Sequence, residues 1–370
     1  MRPWHRTERV LEVDFDVVFF LATAALTVLG TVMIFSSSYF VSKELYGAGA
    51  AMTLRHLAHL AFGVTGMLVL MSIDYRVLSR RRVVLGMLVV SMVALMCCFV
   101  PVIGRAGGHA RRWVGIGPAV FQASELAKIA LVIFFANHLA RKTRCMDDFH
   151  RGPLPLLLVV AAVCLLILIE PDFGTAATIG AWSVIVLFMS GMSRKHLAAL
   201  VCAALPVAAV AMVMEPYRRS RITAFLDPWK DMLGSGYQAV QSMASFASGG
   251  LFGTGLGEGS QKLFYLPAPH TDFILAVLGE ETGFVGVTLV ACLFAAWVWR
   301  GFSIALATKD SFGHYMVLAC VSLVGLQAIL NMGVALCLLP TKGLPLPFFS
   351  YGGSTLVSTL LMCGLVLSVS

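Results

Sequence analysis

One aspartate stands where a carboxylate can take part in a reaction. Asp272 follows Pro269, His270 and Thr271 and directly precedes an apolar run that starts at Phe273. A carboxylate at the edge of an apolar segment loses part of its hydration, which raises its pKa and suits it to act as a general base. A structural role fits the same pattern, because Thr271 or Asp272 can also cap the helix that follows.

A group of cations lies earlier in the chain. Arg111 and Arg112 precede a turn that contains glycine and proline, and Glu125 and Lys128 follow at the start of the next apolar run. Glu125 and Lys128 share a face at i, i+3 spacing in a helix, so they can form an ion pair. Guanidinium and ammonium groups suit phosphate oxygens. The structural alternative is a capped helix with a lysine that reaches the membrane surface.

Two further polar segments are candidates for binding. Ser260, Gln261 and Lys262 follow a glycine-rich stretch at 249–259, and Lys342 lies in a proline-rich segment. The glycine-rich stretch lacks the Gly-Lys-Ser/Thr ending of a nucleotide-binding loop, so nucleotide binding is not expected. A re-entrant loop whose backbone approaches a lipid substrate is one interpretation, and simple flexibility is the other.

Other polar residues favour structural roles. Glu170 and Asp172 flank a proline in a tight turn, where they can hold a cation or a neighbouring arginine, with the structural use favoured. Glu280 and Glu281 lie about two helical turns inside an apolar run, so we expect one of them to face a polar cavity or a basic partner. Asn331 lies within another apolar run and is expected to form an interhelical hydrogen bond.

Composition shows what kind of protein must position these groups. Apolar residues make up 59% of the 370 and charged residues only 12%, whereas soluble domains carry about 25% charged residues. Lipid must therefore be the main solvent. The net charge of +8 is scattered between apolar runs rather than forming one basic face, so we do not expect nucleic-acid binding. The nine cysteines form no CxxC pattern and are interpreted as free thiols.

The continuous apolar runs predict an all-α polytopic membrane protein of about ten transmembrane helices. We place them near 15–37, 55–73, 83–103, 122–140, 153–170, 174–192, 196–214, 273–299, 314–339 and 353–370. The first run is too long for a signal peptide and no cleavage site follows it. The basic clusters, above all Arg80, Arg81 and Arg82 together with Arg2, Arg6 and Arg9, predict that both termini are cytoplasmic.

This orientation fixes the rest of the predicted topology. The chain 1–370 forms a single integral membrane domain, with one long extracytoplasmic loop at about 215–272 between predicted helices 7 and 8. Most acidic residues then fall at the outer ends of the helices. We therefore expect any chemistry to face outward.

Several segments together resemble the SEDS family (shape, elongation, division, sporulation). They occur in family order: RRWVGIGP and FQASELAK within 111–128, PDFGTA at 171–176, GYQ at 236–238, GGLFGTGLGEGSQK at 249–262, YLPAPHTDF at 265–273 and PTKGLPLPFFSYGGS at 340–354. The resemblance runs from about Phe35 to the C-terminus. Residues 222–229 and 340–348 are more similar to the division branch (FtsW) than to the elongation branch (RodA).

The resemblance implies a peptidoglycan glycosyltransferase of the EC 2.4 class, active in cell division and cell wall biogenesis. Such an enzyme polymerises lipid II, an undecaprenyl-diphosphate-linked disaccharide peptide, into β-1,4 glycan strands at the outer face of the cytoplasmic (inner) membrane. The family's essential aspartate corresponds to Asp272, the predicted general base. The candidates for binding the diphosphate or sugar are Arg111, Arg112, Glu125, Lys128, Ser260, Gln261, Lys262, His270, Thr271 and Lys342.

The resemblance also implies partners and leaves alternatives open. A class B penicillin-binding protein (a transpeptidase) and other divisome membrane proteins are the expected protein partners. A divalent cation, Mg²⁺ or Mn²⁺, would assist departure of the diphosphate, although no protein metal ligands are predicted. The alternative functions are a lipid II flippase and a non-catalytic divisome scaffold for a transpeptidase. The chain departs from the family pattern at Ala123, Glu170 and Ala268, none of which alters Asp272.

Overall fold

The computed structural model describes residues 15–101, 103–107, 110–116, 119–263 and 266–370. Arg2, Arg6 and Arg9, which support the predicted orientation, lie outside these ranges. Within them the chain forms twelve α-helices and one three-stranded antiparallel sheet. The helices are α1 (Val17–Tyr46), α2 (Ala51–Ser72), α3 (Arg81–Cys97), α4 (Ala123–Lys142), α5 (Pro153–Ile169), α6 (Phe173–Met189), α7 (Arg194–Met214), α8 (Pro216–Leu226), α9 (Tyr237–Gly249), α10 (Ile274–Ala307), α11 (Ser311–Ala335) and α12 (Gly353–Leu367).

Apolar composition decides which of these helices can cross a bilayer. Within the described ranges, six helices are long and apolar enough to do so, namely α1, α2, α4, α7, α10 and α11. Helices α5, α6 and α12 are apolar but shorter. Large apolar side chains such as Phe62 and Leu158 stay exposed on the outside of the bundle, as expected where lipid is the solvent. The predicted helical, multi-pass membrane protein is confirmed, and the number of spans and their orientation remain predictions.

The segment before α4 corrects the sequence-based expectation. We expected the third helix to reach residue 103 and a turn to lead into the fourth. Instead α3 ends at Cys97, and a small antiparallel sheet follows, made of β1 (Gly104–Gly107), β2 (Ala110–Ile116) and β3 (Ala119–Gln122). Val114, Ile116 and Val120 supply the β-branched residues that favour strands. The all-α prediction is therefore wrong for this segment.

The long segment between α7 and α10 is partly helical rather than a plain loop. It contains α8, which starts with Pro216 in its first turn, and α9. Proline suits the first helical position because its missing N–H would have no partner there. Helix α9 packs against α10, and α8 follows directly on α7. The location of the segment between α7 and α10 on the extracytoplasmic side remains a prediction.

The helices differ sharply in how deeply they are buried. Helices α4 and α11 lie at the centre of the bundle and have mostly buried side chains. In contrast, no residue of α7 is buried, although the structure describes that helix completely. Helix α7 therefore stands at the edge of the bundle and leaves space beside α6 and α8.

Helix α10 is interrupted near its start, and the glycine-rich stretch fills the interruption. Gly283 has a positive φ of 68° and breaks the regular helix. The N–H groups of Phe284 and Val285 donate to the carbonyls of Gly250 and Leu251 at 2.9 and 3.1 Å. Backbone groups at membrane depth need such partners because lipid offers none. The stretch is therefore fixed against α10, as the re-entrant interpretation requires and simple flexibility does not.

Candidate active site

A cavity of about 730 Å³ lies between α6, α7, α8 and the segment that follows α11. Its wall includes the turn before α6, the end of α7, the start of α8 and Asp272, which lies two residues before α10. These helix ends all belong to the side that the charge pattern predicts to be outer. Three of the predicted site residues line the cavity: Arg112, Asp272 and Lys342.

The carboxylate of Asp272 is not used to cap a helix. Helix α10 begins at Ile274 with Phe273 as its N-cap residue, and no side chain caps it. The Thr271 hydroxyl donates instead to the carbonyl of Ala268 at 3.2 Å. Asp272 is held through its backbone, whose carbonyl accepts a hydrogen bond from Asn331 Nδ2 at 3.0 Å. Among the described residues, no hydrogen bond or ion pair engages its carboxylate, so the capping alternative is not supported.

The surroundings of Asp272 favour a basic carboxylate. Burial raises the pKa of Asp272 from its ordinary value of 3.8 to about 6. The positive charges of Arg221 and Arg112 oppose this rise, and the negative charge of Asp172 adds to it. A carboxyl group with a pKa of about 6 is still ionised at neutral pH and accepts a proton more readily than an ordinary aspartate.

Four cationic side chains line the described wall of the cavity: Arg112, Arg218, Arg221 and Lys342. Arg221 Nη1 donates to the carbonyl of Thr341 at 2.7 Å, which joins α8 to the segment that carries Lys342. Burial lowers the pKa of Lys342. Only three acidic residues, Asp172, Glu215 and Asp272, share this wall. The cavity can therefore receive an anionic group.

An aromatic ring lies among these cations. The guanidinium of Arg218 and the ammonium of Lys342 lie 5.2 and 5.5 Å from the ring centre of Phe173. Both distances permit cation–π attraction, which holds long side chains in place. Sequence reasoning missed Arg218 and Arg221, because it treated the loop cations only as weak evidence for topology. Pro216 at a helix start, with two arginines at i, i+3 spacing behind it, is the signal that identifies them.

Asp172 differs from Asp272 although both line the cavity. Asp172 caps α6 and accepts hydrogen bonds from Thr175 N at 3.1 Å and Thr175 Oγ1 at 2.9 Å. Arg112 Nε lies 3.5 Å from its carboxylate, and Arg112 Nη2 donates to the carbonyl of Pro171 at 3.3 Å. The prediction that this turn holds a neighbouring arginine is confirmed for Asp172.

Comparisons with known proteins identify the family. Residues 16–370 match the family model FTSW_RODA_SPOVE, described as cell cycle protein. The chain belongs to this family. It is 40% identical over 356 residues to the "Probable peptidoglycan glycosyltransferase FtsW" of Geobacter metallireducens, covering 96% of this chain and 94% of that protein. It is 36% identical to the stage V sporulation protein E of Bacillus subtilis, covering 96% of each. The predicted SEDS resemblance, nearer to the division branch, is confirmed.

Solved structures of the family share this fold. One is described as "Structural coordination of polymerization and crosslinking by a peptidoglycan synthase complex"; it matches with a TM-score of 0.80 and 32% identity over 96% of this chain and 97% of that one. The rod shape determining protein RodA of Thermus thermophilus matches with a TM-score of 0.70 and 28% identity over 96% of each chain.

The SEDS motif residues Glu125 and Lys128 form the predicted ion pair, with 2.9 Å between Lys128 Nζ and Glu125 Oε1. Both side chains are buried, and neither lines the cavity. The hydroxyls of Thr355 and Ser358 donate to the Glu125 carboxylate, and Lys128 Nζ donates to Gln327 Oε1 at 3.1 Å. The pair therefore joins α4 to α11 and α12. Contact with substrate remains a prediction for these two residues.

The family's GSQK residues pack against α10 and do not line the cavity. The backbone N–H groups of Ser260 and Gln261 donate to the Glu280 carboxylate at 2.8 and 3.2 Å. Lys262 Nζ lies 2.6 Å from the Glu281 carboxylate, and Lys262 is only 2% exposed. Glu281 thus has the basic partner that we expected as one possibility for one of the two glutamates. Lys262 is not available to a diphosphate in the cavity.

The two residues before Asp272 also act through their backbone. The carbonyl of His270 accepts from Tyr351 N at 2.7 Å, and that of Thr271 accepts from Ser350 Oγ at 2.5 Å. Burial lowers the pKa of His270 and so favours the neutral form of its ring. Arg111 lies in β2 next to Arg112, and its predicted role in binding the substrate stays a prediction.

The described residues offer no ready set of ligands for a resident metal ion. Among the described residues, no group of three or more His, Cys, Asp or Glu side chains is arranged to hold a metal ion. The three acidic residues of the cavity, Asp172, Glu215 and Asp272, do not form such a group. The predicted divalent cation therefore stays a prediction, and no step of the reaction is derived through it.

Proposed function

We propose that this chain is a peptidoglycan glycosyltransferase that polymerises lipid II into β-1,4 glycan strands during cell division. The observation that carries the proposal is the carboxylate of Asp272, which lies on the wall of a cation-lined cavity and has no hydrogen-bond or ion-pair partner in the part of the chain that the structure describes. Relatives at 40% identity that are named FtsW peptidoglycan glycosyltransferases support this assignment.

Asp272 acts as the general base in this reaction. The C4 hydroxyl of one lipid-linked disaccharide attacks the anomeric carbon of the MurNAc unit on another. A new glycosidic C–O bond forms while the anomeric C–O bond to the diphosphate breaks. Asp272 accepts the hydroxyl proton, and undecaprenyl diphosphate leaves with the electron pair. Attack from the opposite face inverts the anomeric centre and gives a β-1,4 link.

The cations of the cavity stabilise the leaving diphosphate. Charge develops on the diphosphate oxygens as the bond breaks, and preorganised donors lower the barrier most where such charge appears. Arg112, Arg218, Arg221 and Lys342 line the same cavity as the base. Arginine suits this task because its planar donors match phosphate oxygens. We assign the leaving-group site to these four residues rather than to the buried Lys128 and Lys262.

The site opens at the outer face of the cytoplasmic (inner) membrane, where lipid II carries its sugar. The positive-inside distribution supports this side. A class B penicillin-binding protein is the proposed partner, since a structure that matches this chain comes from a peptidoglycan synthase complex that polymerises and crosslinks. Such a partner would crosslink the strands that this chain makes.

Purified protein with labelled lipid II tests the proposal, with glycan strands separated on a gel. Wild-type protein, alone or with its transpeptidase partner, is expected to form long strands, and Asp272→Asn is expected to form no strands that the gel detects in the same time. Asp227→Asn is the matched control, because Asp227 is an exposed aspartate of the same long segment and does not line the cavity. Strand synthesis by a folded Asp272→Asn variant would refute the base assignment. Lipid II scrambling across vesicles without any polymer would favour a flippase.

A further inference from the structure

Three successive carbonyls before α10 are all bound by donors from α11 or the segment after it. Tyr351 N donates to His270, Ser350 Oγ donates to Thr271, and Asn331 Nδ2 donates to Asp272. Two of these donors belong to the proline-rich segment itself. Asn331 is different, because it lies within α11 and its amide also reaches that segment.

We propose that Asn331 is a positioning residue, which sets the place of Asp272 relative to the cation-bearing segment 341–344. This inference rests on the proposed function. Asn331 is completely buried, and its Nδ2 donates to the Asp272 carbonyl at 3.0 Å and to the Leu344 carbonyl at 2.6 Å. An asparagine amide has two hydrogens. Each hydrogen therefore serves one of the two segments, and the expected interhelical bond is replaced by two bonds to loop carbonyls.

The segment that accepts the second hydrogen bond from Asn331 also borders the carboxylate of Asp272. Gly343 precedes Leu344, and a Cβ atom built on Gly343 would lie 3.4 Å from Asp272 Oδ2. Thr341, two residues earlier, accepts the hydrogen bond from Arg221. The side-chain amide of Asn331 thus connects the backbone of Asp272 to residues 341–344. This stretch contacts Arg221 and borders the Asp272 carboxylate. A shift of either carbonyl would change the distance between base and leaving-group site.

The geometry separates this role from general stabilisation of the fold. Ser350 and Tyr351 still join the two segments when Asn331 is replaced, because their bonds to Thr271 and His270 do not involve it. Loss of the amide therefore loosens Asp272 itself rather than detaching the segment. Misplacement of a catalytic group by about 1 Å can cost about 100-fold in rate.

Asn331→Leu in the full-length protein, assayed with lipid II, tests the inference. We expect kcat to fall about 100-fold while KM changes less than about threefold, because the diphosphate cations remain in place. The matched control is Ser322→Ala on the same helix. Ser322 is also buried and bonded, but its partner is Trp182 Nε1 at 3.1 Å, away from the cavity. Thermal unfolding in detergent measures the folded fraction of each variant.

Several outcomes would overturn the inference. They are an unchanged kcat for Asn331→Leu, a rise in KM alone, or a loss of activity that only follows the folded fraction. Asn331→Ser keeps a single donor and supplies the same comparison if the leucine variant does not fold. Polymer from wild type and Ser322→Ala, with none from Asp272→Asn, supports the proposed function independently. Absence of polymer from wild type, with its partner present, overturns the proposed function and this inference with it.

Discussion

Asp172 and Asp272 both precede a helix and both line the same cavity, yet the fold treats them in opposite ways. Asp172 caps α6, accepts from Thr175 twice and lies beside Arg112. The carboxylate of Asp272 has no such partner among the described residues, and its pKa rises to about 6. Position at a helix start therefore does not separate a structural carboxylate from a reactive one. The hydrogen bonds of the folded protein do.

The difference has an energetic meaning. Hydrogen bonds to a carboxylate offset the cost of removing it from water, as they do for Asp172. For Asp272 that cost is offset only by the more distant charges of Arg221 and Arg112. The carboxylate of Asp272 therefore binds a proton more tightly than the carboxylate of an ordinary aspartate does. A carboxylate whose pKa is shifted by burial beside a cavity is typical of functional sites.

Exchange of each carboxylate for an amide gives the largest expected contrast. Asp272→Asn is expected to lower the polymerisation rate by about 10³-fold, the usual scale of a lost general base. Asp172→Asn is expected to keep most activity, because asparagine caps helices as well as aspartate does. Initial rates of strand formation measure both. Equal losses in the two variants would show that the two carboxylates do not differ in function.

Replacement of Asp172 and of Asp272 should also differ in its effect on the stability of the folded protein. The pKa of Asp272 is raised on folding, so its ionisation lowers the unfolding free energy as pH rises from 3.8 to about 6, and the unfolding free energy then stays at this lower level at higher pH. Asp272→Asn should therefore unfold at a higher temperature than wild type at pH 7, and this gain should vanish below pH 3.8. Thermal unfolding of both asparagine variants at two pH values measures it. A lower Tm for Asp272→Asn at pH 7 would contradict the absence of bonds to its carboxylate.

The pH dependence of the reaction gives the next largest effect. A general base works in its ionised form, so the rate should fall about tenfold per pH unit below about 6. Burial sets this value, with Arg221 and Arg112 opposing the rise in pKa and Asp172 adding to it. The other charged residues that line the cavity with Asp272 are Glu215, Arg218 and Lys342. Removal of Arg221 should move the acid limb to higher pH, since its charge lowers the pKa of Asp272. A rate that stays flat down to pH 5 would argue against Asp272 as the base.

Two arginines of α8 test the cation side of the cavity. Arg221 lines the cavity, whereas Arg219 is exposed outside it. Arg221→Gln is expected to raise KM for lipid II about tenfold, because bonds to charged groups contribute about 1.5–3 kcal/mol. Arg219→Gln should leave KM unchanged. The same rise in both variants would indicate a general effect of charge at the membrane surface.

Sequence patterns predicted the parts of the site that depend on helix ends. Continuous apolar runs indicate where most of the long helices lie, so polar residues near the helix ends on one side of the bundle are expected to converge. Asp272, Arg112 and Lys342 were reached in this way, and the structure brings them to one cavity. The family resemblance then singled out Asp272, because its position alone fits a helix cap as well.

The parts that were missed depend on side-chain direction and on chain segments that pack without a pattern. The spacing correctly predicted the ion pair between Glu125 and Lys128. It did not show that the pair lies outside the cavity, because i, i+3 spacing does not tell which neighbouring helix the shared face contacts. Lys262 has the charge of a phosphate ligand, yet Glu281 binds it behind α10. That partner becomes visible only when the glycine-rich stretch is seen to fill the break at Gly283.

Two glycines, one beside each carboxylate, give the finest test of the comparison. A Cβ atom on Gly343 would lie 3.4 Å from Asp272 Oδ2, and one on Gly174 would lie 3.7 Å from Asp172 Oδ1. Gly343→Ala should lower kcat several-fold, because its methyl group occupies space that an attacking hydroxyl needs beside the base. Gly174→Ala should leave kcat unchanged and stabilise α6 by at most about 0.5 kcal/mol, since alanine is the better helix former but Gly174 lies in the first turn of the helix. Strand synthesis and thermal unfolding measure the pair. If Gly343→Ala keeps full activity, the hydroxyl approaches Asp272 from another side of the cavity.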